Sequence, residues 1–140
     1  MTSISALRIL SVVALPLTAL TFATSAAAGP RNCNDAVTTY EMNFCAERDF
    51  KAADKKLNAA YRDAVSRTRE SDLDKPYDAK SWQSALRTSQ RAWIAHRDAD
   101  CKNLVAREWS GGTGTTVASL GCMTTKTLQR TKELRERYEE

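Results

Sequence analysis

Four cysteines limit what this chain can fold into more than any other feature of its sequence. They are Cys33, Cys45, Cys101 and Cys122, in a chain of 140 residues. An even number of cysteines in a small exported domain indicates two disulfides, which stabilise a core of limited size. Structural zinc sites usually use cysteines two to four residues apart, whereas eleven residues separate the first two here and twenty the last two. We therefore predict disulfides and no metal site.

The first 28 residues have the layout of a secretory signal peptide. Arg8 is their only charge, it precedes an apolar run over residues 9–22, and the small residues Ala26 to Ala28 follow. The run is shorter than the roughly 20 residues that a membrane-spanning helix needs. We expect cleavage before Gly29, which divides the chain into a signal peptide (1–28) and a single domain (29–140) that is periplasmic or secreted. Because no cysteine directly follows that site, we expect no lipid anchor.

The charge of the mature domain argues against a nucleic-acid partner. Without Arg8, the 21 Lys and Arg residues become 20, against 17 Asp and Glu residues, so the net charge is +3. Basic and acidic residues are interspersed, and no block of five or six like charges occurs. We predict neither a nucleic-acid surface nor a membrane span, and the sequence leaves the oligomeric state open.

The hydrophobic pattern predicts three helices and no strands. Thr38 and Glu41 have the spacing of a capping box, so a first helix should begin there. Apolar residues then recur every three or four positions to about Arg69. Pro76 and its charged neighbours mark a loop over residues 71–80. A second helix follows and ends near Glu108; its predicted apolar stripe is Trp82, Leu86, Ser89, Trp93, His96, Ala99 and Leu104.

A glycine-rich turn over residues 110–116 separates the second helix from a third. Its glycines suit a helix C-cap, and Thr115 or Thr116 can cap the third helix. Glu133 lies four residues before Arg137, the spacing of a helix-supporting ion pair. The fold class is therefore all-α, a small three-helix bundle arranged up-down-up. The stripe predicted for the third helix is Val117, Leu120, Thr124, Leu128, Thr131, Leu134 and Tyr138.

The helix arrangement favours one of the three possible cysteine pairings. Cys101 and Cys122 flank the glycine turn almost symmetrically, and antiparallel helices place such residues side by side. Cys33 and Cys45 flank the start of the first helix in the same way. We prefer these two sequential pairs, although Cys45 is also expected near Cys101, so the other pairings remain open.

Residues 91–101, RAWIAHRDADC, hold the densest group of reactive side chains. His96, Arg97 and Asp98 spell the catalytic-loop signature of protein kinases, but the other parts that phosphoryl transfer requires are missing. His96 also lacks a nucleophile if the cysteines are oxidised, and its place beside the apolar stripe predicts a partly buried structural histidine. We predict no catalytic, cofactor-binding or metal-binding residues, and a protein that is not an enzyme.

Polar packing is the alternative role for this segment. Trp93 and Arg97 are four residues apart, so the guanidinium can stack on the indole. Arg91 and Asp98 flank that face and are expected in an ion-pair network. Polar residues on the first helix should form a seam toward these arginines. The predicted structural residues are Glu41, Asp54, Asn58, Tyr61, Arg91, Trp93, Arg97 and Asp98.

Three stretches of the chain carry a specific set of motifs. Residues 33–63 contain T-x-E-M-x-x-C and A-D-x-x-L-N-x-x-Y, residues 90–101 contain R-A-W-x-x-x-R-D-A-x-C, and residues 111–134 follow the glycine turn. Together they resemble the family of small exported bacterial domains named after the lysozyme inhibitor LprI. The resemblance covers nearly all of the mature chain, and it implies a disulfide-bonded helical domain of the bacterial envelope that inhibits lysozyme.

This resemblance leads to the hypothesis of a protein-binding domain that needs no cofactor and occludes the cleft of a lysozyme. Animal lysozymes are generally basic, so an acidic patch is the expected contact surface. The alternative is a structural or stress-related envelope module that binds another periplasmic protein or the cell wall. The candidate partner-binding residues are Asp72, Asp74 and Asp78 in the loop, and Glu136, Glu139 and Glu140, with Glu133, at the C-terminus.

Overall fold

The computed structural model describes residues 32–138, and over these residues the chain is entirely helical outside its turns. A 3-10 turn, Cys33–Asp35, precedes helix α1, Thr39–Arg69. Helix α2, Ala79–Asp98, continues through a π segment, Ala99–Leu104, into a last helical turn, α3, Val105–Glu108. Helix α4 is Thr115–Tyr138. The predicted all-α class is confirmed. The predicted signal peptide and its cleavage site lie outside the described residues.

Helix α1 begins at the predicted capping box. The Thr38 hydroxyl accepts a hydrogen bond from the Glu41 backbone N–H at 3.2 Å, and the Glu41 carboxylate accepts from the Thr38 N–H at 3.0 Å. The Val37 N–H also donates to this carboxylate, at 3.2 Å. These bonds satisfy backbone donors that a helix start leaves without partners. The pKa of Glu41 lies below its usual value because the Thr38 backbone, the Thr38 hydroxyl and the Val37 backbone donate to it.

Helix α2 and its continuation form one long rod with an unusual turn near its end. The Val105 N–H bonds to the Asp100 carbonyl, five residues back, which is the π-helical pattern. The rod ends at Glu108, where the sequence places it, but the extra residue in the π turn was not predicted. The apolar stripe predicted for this rod is also partly wrong, because Ser89, His96, Ala99 and Leu104 are all exposed. The residues of the rod that are buried are Leu86, Gln90, Arg97 and Cys101.

The turn after α3 depends on residues with a left-handed backbone. Ser110 and Gly111 have φ values of 50° and 67°, and the Gly111 N–H bonds back to the Ala106 carbonyl at 3.1 Å. A Cβ at Gly114 would overlap the six-membered ring of Trp109, so a larger residue there would displace that ring. The expectation that Thr115 or Thr116 caps α4 is wrong, because the helix already begins at Thr115, whose hydroxyl is buried without a hydrogen-bond partner.

Helices α1 and α4 run in the same direction and share the most extensive helix–helix contact, and α2 is antiparallel to both. Residues of α1 at the contact are small, which lets the helices approach closely. The predicted stripe of α4 is partly wrong in phase, because Leu128 is 42% exposed whereas Met123 and Thr127 are buried. The core consists of Leu57, Ala60, Ala64, Leu86 and Leu134, against which Tyr61, Val65, Trp93 and Tyr138 pack.

Both disulfides have the sequential pairing that the sequence favours. Cys33 is bonded to Cys45, with Cα atoms 5.7 Å apart, and Cys101 is bonded to Cys122, with Cα atoms 5.5 Å apart. The first ties the N-terminal segment to α1, and the second ties the π segment to α4. Neither bond joins α1 to α2 or to α4, so non-covalent side-chain contacts hold α1 against the other two long helices.

Candidate functional site

Arg97 is the centre of the polar contacts between the three long helices. Its side chain is buried, with the residue 6% exposed. The guanidinium donates to the Thr127 hydroxyl on α4 at 3.2 Å and lies 3.7 Å from the Asp54 carboxylate on α1. It also lies 5.4 Å from the ring centroid of Phe50 and 5.2 Å from that of Trp93, within the range of cation–π contacts. One side chain of α2 therefore contacts both partner helices.

Two carboxylates extend this network along the rod. Asp98 accepts from Arg97 at 2.9 Å and from Lys102 at 2.8 Å, and Asp100 forms a 2.8 Å ion pair with Lys126 on α4. Partial burial alone would raise the pKa of Asp98. The hydrogen bonds from Lys102 and Arg97 outweigh this effect, so the pKa of Asp98 lies below its usual value. The Lys126 hydrogen bond lowers the pKa of Asp100. Both groups are ionised partners of neighbouring cations rather than proton donors.

The remaining predicted structural residues divide between this network and the surface. Asn58 donates to Asp54 at 2.8 Å, and Tyr61 packs half-buried against the core. Arg91 is exposed and forms no ion pair within residues 32–138, so the structure does not bring it into the expected network. His96 is exposed, and the prediction of a partly buried histidine is wrong.

Asp100, Cys101 and Cys122 bring a carboxylate oxygen and two sulfur atoms within 4.8 Å of one another. Metal ions bind thiolates, whereas both of these sulfurs are joined in a disulfide. The Asp100 carboxylate is in addition paired with Lys126. The oxidised protein therefore offers no thiolate ligand at this position.

The loop between α1 and α2 forms an exposed surface with both acidic and aromatic side chains, which we call the loop face: Asp72, Leu73, Asp74, Tyr77 and Trp82. Asp72 and Asp74 are exposed and form no ion pairs within residues 32–138. Tyr77 is 72% exposed and Leu73 57%. Together with Pro76, Ser81 and Ala85, the three apolar members line an open, mainly apolar depression.

The other predicted acidic residues have different surroundings. Asp78 is the N-cap of α2, and its carboxylate accepts from the Ser81 N–H at 2.9 Å. Glu136 is exposed and pairs with Lys132 at 3.5 Å. Glu139 and Glu140 lie outside the described residues. Among the predicted acidic residues that the structure describes, Asp72 and Asp74 are therefore the two whose carboxylates form no ion pair and no helix cap within residues 32–138.

A second surface feature is a groove between α2 and α4, which sequence reasoning did not find. Its volume is about 280 Å³. The groove extends beside the rings of Trp82 and Tyr138, whose centroids are 6.2 Å apart. The sequence pattern placed both residues in the buried stripes of their helices. In the structure they lie at one end of the bundle, where their rings remain partly exposed. The lining consists of Trp82, Ala85, Leu86, Ser89, Arg130, Glu133, Leu134, Arg137 and Tyr138.

Glu133 does not form the ion pair that its spacing predicts. Its carboxylate accepts instead from Arg130 at 3.1 Å and from Gln129 at 3.2 Å. Arg130 also donates to Gln90 at 3.2 Å and to Ser89 at 3.3 Å, which fixes it along the groove. Arg137 is left at the groove without an ion pair among the described residues.

No helix in the part of the chain that the structure describes is long and apolar enough to cross a membrane. A family model with the description "Lysozyme inhibitor LprI" matches residues 31–134. A similar curated protein is "Uncharacterized protein R02472" of Rhizobium meliloti (strain 1021), which is 36% identical over 113 residues; the match covers 77% of this chain and 79% of that protein. No solved structure matches.

Proposed function

Because this chain belongs to the Lysozyme inhibitor LprI family, we propose that it is an exported domain that binds a lysozyme and inhibits it. Its two disulfides are typical of proteins that fold in an oxidising compartment, which supports a site of action in the periplasm or outside the cell. The expected signal peptide agrees with that location.

The surface that we assign to inhibition is the loop face. The observation that carries this assignment is that Asp72 and Asp74, both free of ion pairs within the described residues, lie beside the exposed side chains of Leu73 and Tyr77. Free carboxylates attract a basic enzyme and align it during encounter. Aromatic side chains supply most of the binding energy once water is excluded from the contact.

The loop is held in a defined shape before it meets a partner. The Tyr77 N–H bonds to the Asp74 carbonyl at 2.9 Å, and Asp78 fixes the start of α2 through its bond from Ser81. A loop that is already ordered loses less conformational entropy on binding, so more of its contact energy appears as affinity. Inhibition then follows from the loop entering the substrate cleft and excluding the glycan.

The first experiment is a lysis assay of cell-wall substrate by chicken-type and goose-type lysozymes, with the oxidised mature domain titrated in and a reduced sample for comparison. We expect saturable inhibition by the oxidised domain. If the domain has no effect on either enzyme at micromolar excess, the proposed function is wrong. Capture of another envelope protein in that case would favour the structural-module hypothesis.

A charge-neutralising pair of substitutions tests the surface separately from the function. Asp72→Asn with Asp74→Asn should weaken inhibition by about 5-fold or more at low salt, mainly through slower association. Glu47→Gln with Glu108→Gln is the matched control, because it removes two exposed acids away from the loop face. Inhibition that the loop pair leaves unchanged, or that both pairs weaken equally, would contradict the assignment of the loop face.

A further inference from the structure

The groove between α2 and α4 is a preformed space with an apolar floor and a polar rim. Leu86 and Leu134, both buried in the core, form its floor. Ala85 and Ser89 are too short to fill the space above them. Its volume of about 280 Å³ is near the lower limit of small-molecule pockets, which is about 300 Å³. The groove therefore has room for a single ring rather than a long chain.

Two aromatic rings form one wall of this groove. Trp82 is 41% exposed, and its ring is tilted by 46° against that of Tyr138. The face of an indole ring carries partial negative charge. The C–H groups on the face of a sugar ring are apolar and weakly positive, so they pack well on such a surface. An exposed tryptophan beside a small groove with a polar rim suits a saccharide better than a purely apolar ligand.

The charges around the groove leave one cation unbalanced. Arg130 and Glu133 neutralise each other at 3.1 Å, and Arg130 is fixed further by Ser89 and Gln90. Arg137 lines the groove and forms no ion pair within residues 32–138. A guanidinium binds a carboxylate through two parallel hydrogen bonds, which gives both strength and orientation. The groove thus selects for a ligand with a negative charge.

We propose that this groove binds a single sugar ring that carries a carboxylate, with the ring on Trp82 and the carboxylate on Arg137. Ser89, Glu133 and Tyr138 line the same space, and their side-chain oxygens are the groups that would bond the sugar hydroxyls. The proposal does not depend on lysozyme inhibition, because the loop-face acids Asp72 and Asp74 do not line the groove, although Trp82 borders both surfaces.

The test is an NMR titration of the oxidised mature domain with three probes. N-acetylmuramic acid has both the ring and the carboxylate, N-acetylglucosamine has the ring alone, and lactate has the carboxylate alone. We expect the first to shift the Trp82 indole N–H resonance and to bind about 5- to 10-fold more tightly than either of the others. Equal affinities for the two sugars, or no shift at Trp82 at tens of millimolar, would overturn the proposal.

Two arginine substitutions separate the groove from a general effect of charge. Arg137→Gln should abolish the preference for N-acetylmuramic acid and leave the affinity for N-acetylglucosamine unchanged. Arg87→Gln removes the same charge from an exposed position of α2 that does not line the groove, and it should keep the preference. A preference that survives Arg137→Gln would exclude Arg137 as the carboxylate site.

The carboxylated sugar has two sources: cell-wall glycan strands from which the peptides have been removed, so that the lactyl carboxyl groups are free, and soluble sugar fragments. Sedimentation of the domain with peptide-free glycan strands, reduced by Arg137→Gln, would identify the glycan strand as the source. Binding of the monosaccharide without such sedimentation would identify free fragments. Both results support the groove as a sugar site.

Discussion

Removal of the Arg97 guanidinium tests how α1 is held in the bundle. No disulfide joins α1 to the other two long helices. Arg97 reaches Asp54 and Phe50 on α1 and Thr127 on α4 from a position that is only 6% exposed. Arg97→Met retains most of the side-chain volume but removes the charge and its hydrogen bonds. The loss in the free energy of unfolding therefore measures the polar contacts.

The expected loss follows from the individual contacts. A buried hydrogen bond from a charged donor, here to Thr127, contributes about 1.5–3 kcal/mol. Each cation–π contact, with Phe50 and with Trp93, adds about 0.5–1 kcal/mol. The Asp54 side chain is 43% exposed, so its pair with Arg97 adds less than about 1 kcal/mol. Asp98 keeps Lys102 as a partner. We therefore expect Arg97→Met to destabilise the domain by about 3–5 kcal/mol.

Urea unfolding of the oxidised domain, followed by far-ultraviolet circular dichroism, measures this loss. The midpoint should fall at an unchanged denaturant slope, since the surface exposed on unfolding stays the same. Asp54→Asn is the control and should cost less than about 1 kcal/mol. An Arg97→Met loss below about 1 kcal/mol, or one equal to that of Asp54→Asn, would refute the argument that Arg97 joins the helices.

Three further changes have defined outcomes. Replacing Cys101 and Cys122 with alanine should lower the free energy of unfolding by about 3 kcal/mol, because the loop that they close is lost; calorimetry with an unchanged melting temperature would contradict this. Ionised Glu41 stabilises the fold above the ordinary glutamate pKa of about 4.3, and this stability is lost as the pH falls through the lower pKa of the folded state. Glu41→Gln should flatten that part of the curve of urea midpoint against pH, and a curve of unchanged shape would disprove the assignment. Gly114→Ala should displace the Trp109 ring and shift its indole N–H resonance, whereas Gly121→Ala, where a Cβ meets no neighbour, should leave it in place; similar spectra for both variants would count against the predicted overlap.

Trp82 lies between the loop face and the groove, and its ring lines both surfaces. It lines the depression of the loop face on one side and the groove on the other. Substitution of Trp82 alone is therefore expected to affect lysozyme inhibition and sugar binding together. The paired change at Asp72 and Asp74 and the single change at Arg137 are needed to distinguish the two activities.

Short-range chemistry made several features of this fold predictable from sequence. The capping box of Thr38 and Glu41 involves residues three apart, so its hydrogen bonds are determined once the helix begins. The pairing of Cys101 with Cys122 follows from their positions on either side of one turn. The spacing of apolar residues predicted the number of helices. The helix-breaking residues predicted where α1 ends and where the continuation of α2 ends. Both signals are local properties of the sequence.

Contacts between helices decided what the sequence left ambiguous or predicted wrongly. Thr127 rather than Leu128 is buried on α4, and in that position the Thr127 hydroxyl accepts a hydrogen bond from Arg97 of a different helix. The pattern of threonines and leucines did not contain that information. The π turn at residues 99–104 likewise brings Cys101, rather than Leu104, to the buried side.

The candidate sites show the same division. The sequence by itself determined a disulfide-bonded helical bundle with acidic residues in one loop, since caps, turns and apolar periodicity act over a few residues. Only the tertiary structure decided which polar groups remain free. Glu133 pairs with Arg130 instead of Arg137, and the same Arg130 guanidinium also donates to Ser89 and Gln90 on α2. The contacts with α2 join residues that are far apart in the chain, so no local pattern encodes them. Within residues 32–138, Asp72, Asp74 and Arg137 form no ion pair.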